Sequence, residues 1–208
     1  MIQREVIIIF GRTGEGKTTL AKEIMQHFSR VVVFDTAREY HGEVITDFDD
    51  FVYFFEQPHS AEYFLICRFP SSVSYQYAAK LLFATEHDVL VVLEEADHYL
   101  GSVSFSDPTD PITVLVTQGR HAKIHLLAIT QRPHLIAITL RAMCTRKITF
   151  CQDEPADLDY LEAWGFDAEE VRALPKFKHL EINRHDTKDA AHGEASKEDL
   201  SDRETLRA

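Results

Sequence analysis

The 208 residues make one ordinary domain, and a 45% hydrophobic share is enough to bury a sizeable core. That excludes a disulfide-stapled miniprotein and a wholly disordered chain, and no apolar run reaches the ~18 residues of a membrane span. A net charge of −12 excludes a broadly basic surface, so any contact with nucleic acid must come from a local patch.

The opening residues, Met-Ile-Gln-Arg-Glu, include an acid and lead into no long apolar stretch or cleavage site, so no signal peptide is expected. Apolar β-branched runs bounded by polar turns predict strands at 5–10, 31–35, 63–68, 89–93, 124–130, 147–151 and 177–182. Helical periodicity falls between them, at 17–29, 74–87, about 111–121 and 133–143, followed by a helical pair at 156–164 and 168–173. Asp167 and Glu170 make an Asp-x-x-Glu capping box for the second of that pair, and Gly165 suits the C-terminal stop of the first. Alternating strands and helices predict an α/β fold with a mostly parallel central sheet covered on both faces. Residues 101–111 read as an exposed loop. Cys67, Cys144 and Cys151 are odd in number and lack metal-ligand spacing, so they read as buried thiols of a reducing compartment.

Charge is unevenly spread. Residues 35–62 hold eight acids and one base, Arg38. Residues 111–152 hold no acid and six bases: Arg120, Lys123, Arg132, Arg141, Arg146 and Lys147. Part of that asymmetry is expected from burial, since buried strands and helices exclude acids. From 185 onward there are seven acids, four bases and almost no large apolar residue. The chain therefore divides into a domain at 1–184 and an acidic, flexible tail at 185–208.

The sharpest motif is Gly11-Arg12-Thr13-Gly14-Glu15-Gly16-Lys17-Thr18, which fits G-x-x-x-x-G-K-[ST] between a predicted strand and a predicted helix. Its glycines let the backbone curl so that successive N–H groups face a phosphate. The helix that follows aims its positive dipole end at the same anion. Lys17 then reaches the β- and γ-phosphates, the Thr18 hydroxyl ligates Mg²⁺, and Thr19 completes the nucleotide-binding set. Further along, the apolar run 89–93 ends in Glu94 and Glu95. A strand of this kind delivers its first acid to the metal, assigned to Glu94, and its second to the attacking water, assigned to Glu95 as general base. Asp97 is a further candidate, lying beyond the strand end.

The run 124–130 ends Thr130-Gln131-Arg132-Pro133. A Gln at a strand tip between the phosphate loop and the acidic strand both donates and accepts, so Gln131 is placed to sense the γ-phosphate or the water. Before that strand stands Gly119-Arg120-His121. Arg120 is the first choice for an arginine reaching into a neighbouring subunit's nucleotide, ahead of Arg146 and Arg141. An ordinary surface arginine is the competing account.

Together these motifs resemble the FtsK/HerA superfamily of P-loop ATPases, with Gly119-Arg120-His121…His125-Leu-Leu-Ala-Ile-Thr-Gln131 especially like that superfamily's approach to its sensor strand. The short chain looks most like the genome-packaging ATPases of tailless, membrane-containing icosahedral viruses. The resemblance covers about residues 5–183 and departs at Glu94, where the family usually has Asp. It implies a RecA-like P-loop NTPase fold of three α/β/α layers. It also implies ATP and Mg²⁺ as ligands and an ATPase that drives double-stranded DNA into a preformed capsid. The partners implied are the DNA, a homo-oligomeric ring, commonly a hexamer, and capsid-vertex or membrane-associated virion proteins. The implied location is the host cytoplasm or the virion. Two other functions stand open on the same loop: a nucleotide kinase, though no Arg-rich lid is visible, and a slow ATP-dependent assembly switch.

Overall fold

The computed structural model describes residues 4–58, 60–86, 88–100, 107–184 and 191–194. In chain order the first half runs β1 (Val6–Phe10), α1 (Lys17–Met25), β2 (Arg30–Phe34), β3 (Val44–Ile45), α2 (Phe48–Glu56), β4 (Tyr63–Cys67), α3 (Ser72–Thr85) and β5 (Val89–Leu93). The second half runs α4 (Asp97–Leu100), α5 (Pro111–Gln118), β6 (Ile124–Thr130), a 3-10 turn (Pro133–Leu135), α6 (Ile138–Met143), β7 (Arg146–Thr149), α7 (Pro155–Trp164), α8 (Ala168–Arg172), β8 (Lys178–Asn183) and β9 (Ala191–Glu194).

The strands join one sheet in the order β3-β4-β2-β5-β6-β1-β7-β8-β9. Pairings from β3 through β7 are parallel; the β7–β8 and β8–β9 pairings are antiparallel, so β8 alone runs against the other strands. The two-residue side-chain period of a strand explains why the central strands are apolar throughout. Ile7, Ile9, Val31, Val33, Leu90 and Val92 join the core on one face with Leu20, Ala21 and Ile24 of α1. Ile8, Phe10, Val32, Phe34, Val91 and Leu93 join the core on the other, with Leu82 of α3, Leu115 of α5 and Leu158 of α7. The α/β class, the mostly parallel sheet and its coverage on both faces follow the reading of the sequence. The cysteines are free and buried. No helix among the described residues is long and apolar enough to cross a membrane.

Local chemistry sets the ends. Asp110 accepts from the Thr113 amide and Pro111 opens α5; Asp167 accepts from the Glu170 amide at α8. Gly165 closes α7 in the left-handed conformation that other residues resist. Four elements were not expected: β3, α2, α4 and β9. In α2 the spacing of Phe48, Phe51 and Phe55 is helical, but it is interleaved with the acids that dominate a charge count. The helix expected over 133–143 is broken. Ile136 and Ala137 are extended between the 3-10 turn and α6, and the Ala137 amide donates to Leu100 O instead of continuing a helix. Within the segment read as tail, Ala191–Glu194 pairs with β8; the rest of 185–208 lies outside the described residues. So do residues 101–106 of the expected loop.

At the opposite end of the sheet from the strand tips, His125 opens β6 as a buried neutral imidazole. Its Nδ1 accepts the Glu5 amide at 3.0 Å, and its Nε2 lies 3.3 Å from Asp88. Burial pushes its pKa down, against the opposing pull of Asp88 and Glu5. A pKa lower folded than unfolded means the unfolded chain binds the extra proton. Stability is therefore full above the ordinary histidine value near 6.5 and is lost as pH falls below it. Thermal denaturation between about pH 7 and 5 should show that decline. His125→Asn, whose carbonyl keeps an acceptor near the Glu5 amide, should flatten it; an unchanged slope would assign the decline to other groups.

Candidate active site

Parallel strands bring their C-terminal ends to one edge of the sheet, where open α/β folds build their sites. β6 lies between β1 and β5 in the sheet, as the Gln131 assignment requires. The phosphate loop follows β1, Glu94 and Glu95 follow β5, and Gln131 follows β6.

The loop's curl depends on its glycines. At Gly11, with φ 152°, an added Cβ would sit 2.7 Å from the Phe150 Cβ. Gly16 caps α1 with φ 107°, and the first turn of α1 carries no acid that would compete with an anion. Lys17 is buried, its Nζ donating to Arg12 O at 2.9 Å. Burial lowers its pKa, while Glu94, Glu95, Glu39 and Glu15 favour its charge. Arg12 and Glu15 turn toward each other: Arg12 bridges Glu15 at 3.0 Å and Asp153 at 2.6 Å.

A cleft of about 240 Å³ lies over the loop, lined by Thr13, Gly14, Gly16, Lys17, Thr18 and Thr19. Glu39, Glu94, Glu95 and Gln131 from the strand tips complete its polar wall, and Phe177 stands ahead of β8. A hydrogen-bonded chain crosses it. The Thr13 hydroxyl donates to Gln131 Oε1 at 2.6 Å, and Gln131 Nε2 donates to Glu95 Oε1 at 2.9 Å. A carboxylate only accepts, so this chain also fixes which way the Gln131 amide faces. Glu95 sits at φ 53°, a left-handed conformation that is disfavoured for a residue with a Cβ and is concentrated at functional sites.

Glu94 is buried, and the equally buried Tyr40 hydroxyl donates to its Oε2 at 3.1 Å. Burial raises the Glu94 pKa to about 7; the Tyr40 hydrogen bond opposes this, and Glu39, Asp35 and Glu95 add to it. Arg68 holds Asp35 at 2.7 Å and also donates to Tyr40 O at 2.5 Å. Asp97 is diverted: its Oδ1 accepts the Thr130 hydroxyl at 2.8 Å. Tyr40, Glu39 and Phe177 were not singled out from the sequence. Glu39 and Tyr40 were hidden in a stretch read only for charge, and Tyr40 meets a carboxylate 54 positions away.

Lys17 is the only cation among the residues lining this cleft, against the carboxylates of Glu39, Glu94 and Glu95. That excess of hard oxygen donors beside the Thr18 hydroxyl fits Mg²⁺. No group of three or more His, Cys, Asp or Glu able to hold a metal occurs among the described residues. Mg²⁺ is commonly bound through one or two carboxylates plus substrate phosphates, so a shared shell suits this donor set.

Arg120 is not brought to this cleft. It is exposed between α5 and β6, at the end of β6 opposite Gln131. β6 has seven residues, so its ends are about 20 Å apart at ~3.3 Å per residue. Arg4 braces that turn, donating to Ile124 O at 2.6 Å and Leu115 O at 3.0 Å. Other bases of the acid-free stretch are engaged within the chain. Arg146 pairs with Glu181 at 2.7 Å, Arg132 with Asp157 at 3.3 Å, and Lys147 and Arg141 donate to Trp164 O and Ala163 O.

No family model and no curated protein matches the sequence. Solved structures do match. The genome packaging NTPase B204 from Sulfolobus turreted icosahedral virus 2, in complex with sulfate, superposes with a TM-score of 0.75 at 18% identity over 96% of this chain and 100% of its own. The same protein in complex with ATP-gammaS gives 0.71 at 18% identity over 94% and 98%. The cytoplasmic domain of the Thermomonospora curvata Type VII secretion ATPase EccC gives 0.64 at 13% identity, over 94% of this chain and 24% of that one. At these identities the likeness is one of fold. The parallel sheet, the glycine loop ahead of α1 and these superpositions together give this chain the fold of a P-loop NTPase.

Proposed function

We propose that the protein is an ATPase whose turnover drives double-stranded DNA, and that its task is packaging a viral genome into a preformed capsid. The observation that carries the ATPase reading is the chain Thr13–Gln131–Glu95, which ties the phosphate loop to a carboxylate facing the same cleft. The DNA-packaging reading rests on the full-length likeness to B204, described as a genome packaging NTPase.

In this mechanism the loop amides and Lys17 bind the β- and γ-phosphates. Thr18 and Glu94 would hold Mg²⁺, which would neutralise charge on the phosphate oxygens. Tyr40 orients the Glu94 carboxylate. Glu95 accepts the proton of the attacking water, and Gln131 keeps Glu95 aimed while contacting the loop through Thr13. Arg120 is too far from its own cleft to act there, so it serves a neighbour's nucleotide in a ring, commonly a hexamer in the family this chain resembles. With Arg120 given to the neighbour's nucleotide, exposed Lys123 is the base of the acid-free stretch that is left without a described intrachain side-chain contact. DNA held through phosphates by such a base from each subunit would be bound without sequence preference and with strong salt dependence. The ring would dock on capsid-vertex or membrane-associated virion proteins, in the host cytoplasm or the virion.

The test is ATP hydrolysis with and without double-stranded DNA at low salt. DNA should raise turnover several-fold, and added salt should remove the effect. Hydrolysis indifferent to DNA would favour an assembly switch, and phosphate transfer to a nucleoside would favour a kinase.

A further inference from the structure

Phe177 stands apart from the other phenylalanines. The other described phenylalanines are buried or pack against the core from its margin, whereas the half-buried Phe177 belongs to neither core cluster and lines the cleft over the phosphate loop. Its backbone conformation is costly. The Lys178 amide donates to Pro175 O at 3.0 Å, which closes a four-residue turn, and Phe177 is the third residue of that turn with φ 67°. A turn needing positive φ at its third position favours glycine or asparagine; a bulky side chain there is an outlier. Residues in such conformations cluster at ligand sites, and this one lies at the cleft.

Its location gives the ring a use. The acids and Gln131 lie on the β5 and β6 side of the phosphate loop, while β8 lies on the β7 side. β8 runs antiparallel to β7, so its first residues return to the edge of the sheet where the loop sits. A triphosphate whose terminal phosphate faces Glu94, Glu95 and Gln131 must leave the loop on the opposite side. That side is where Phe177 stands. The ring carries the ammonium of Lys176 at 5.1 Å from its centroid. Lys176 is exposed, and cation–π attraction is weak at exposed sites, so a base can take that face.

We infer that Phe177 is the stacking platform for the nucleobase, a role that rests on the nucleotide-binding reading above. Stacking needs only a π-face, so Phe177 binds the aromatic base of the nucleotide and makes no contribution to holding its phosphates. That separation can be measured. Dissociation constants for ATP and for inorganic tripolyphosphate would be determined by calorimetry on the full chain, for wild type, Phe177→Ala and Phe177→Trp. Phe177→Ala should weaken ATP about tenfold or more and leave tripolyphosphate unchanged. Phe177→Trp should keep ATP affinity, and its added indole emission should respond to ATP and not to tripolyphosphate. ATP affinity unchanged in Phe177→Ala overturns the stacking role and leaves the ATPase reading standing. Equal weakening of both ligands overturns it too, by showing that the turn, not the ring, matters. Wild type that binds neither ligand overturns the nucleotide reading and the stacking role together.

Discussion

Glu95→Gln should bind ATP as tightly as wild type and hydrolyse it 10²- to 10⁴-fold more slowly, the range for loss of a general base. The substitution is nearly isosteric. The amide oxygen of the new side chain can still accept from Gln131 Nε2, the bond that holds Glu95 at 2.9 Å. The backbone at φ 53° meets the same Cβ, so its strain does not change. What disappears is the capacity to take a proton. Phosphate release would be followed beside an ATP titration. Turnover within a few-fold of wild type would remove Glu95 from the chemistry and point to another acid of the cleft, Glu39 or Glu94. A loss of ATP affinity equal to the loss of turnover would instead mean that the Thr13–Gln131–Glu95 chain shapes the binding site.

Lys17→Ala should weaken ATP binding by about 10²- to 10⁴-fold, because hydrogen bonds to charged groups contribute roughly 1.5–3 kcal/mol each and two phosphates share this ammonium. The effect is enlarged by what the ammonium leaves behind. Lys17 is the cation lining a cleft that also holds Glu39, Glu94 and Glu95. Without it, those carboxylates meet a triphosphate with no cation from this chain among the lining residues. Arg12 O, which accepts from Lys17 Nζ at 2.9 Å, also loses its donor. Lys17→Arg should recover little, since a planar fork does not fit a buried site built for a compact charge. ATP affinity that survived Lys17→Ala would mean that the loop binds some other ligand.

The two experiments probe different layers. Lys17 tests whether the loop holds phosphate, and Glu95 tests whether the cleft does chemistry on it. DNA dependence is a third question. The bases of residues 111–152 looked like a ready patch for nucleic acid. Several of them turn out to support the fold: Arg146 joins β7 to β8 through Glu181, and Arg132 and His134 hold Asp157 of α7. Charge counted along a sequence does not say which charges face solvent, because ion pairs form between segments far apart in the chain.

The sequence alone determined whatever depends on neighbours in the chain. The glycine-rich loop was legible because its residues are consecutive and its curl depends on glycines set by the chain itself. The central strands were legible because burial on both faces forces unbroken apolar runs, and β5 and β6 lie where those runs predict. The caps at Asp167 and Gly165 were legible because a cap acts over three or four residues. Only the tertiary structure decided which distant groups meet. Tyr40 reaches Glu94, Thr13 reaches Gln131, Asp97 is drawn off to Thr130, and Phe177 returns to the phosphate cleft. Each contact is set by strand order and by where loops re-enter the sheet edge. Side-chain chemistry along the chain carries no record of that order, so the partners of Glu94 and Glu95 emerge only once the sheet is assembled.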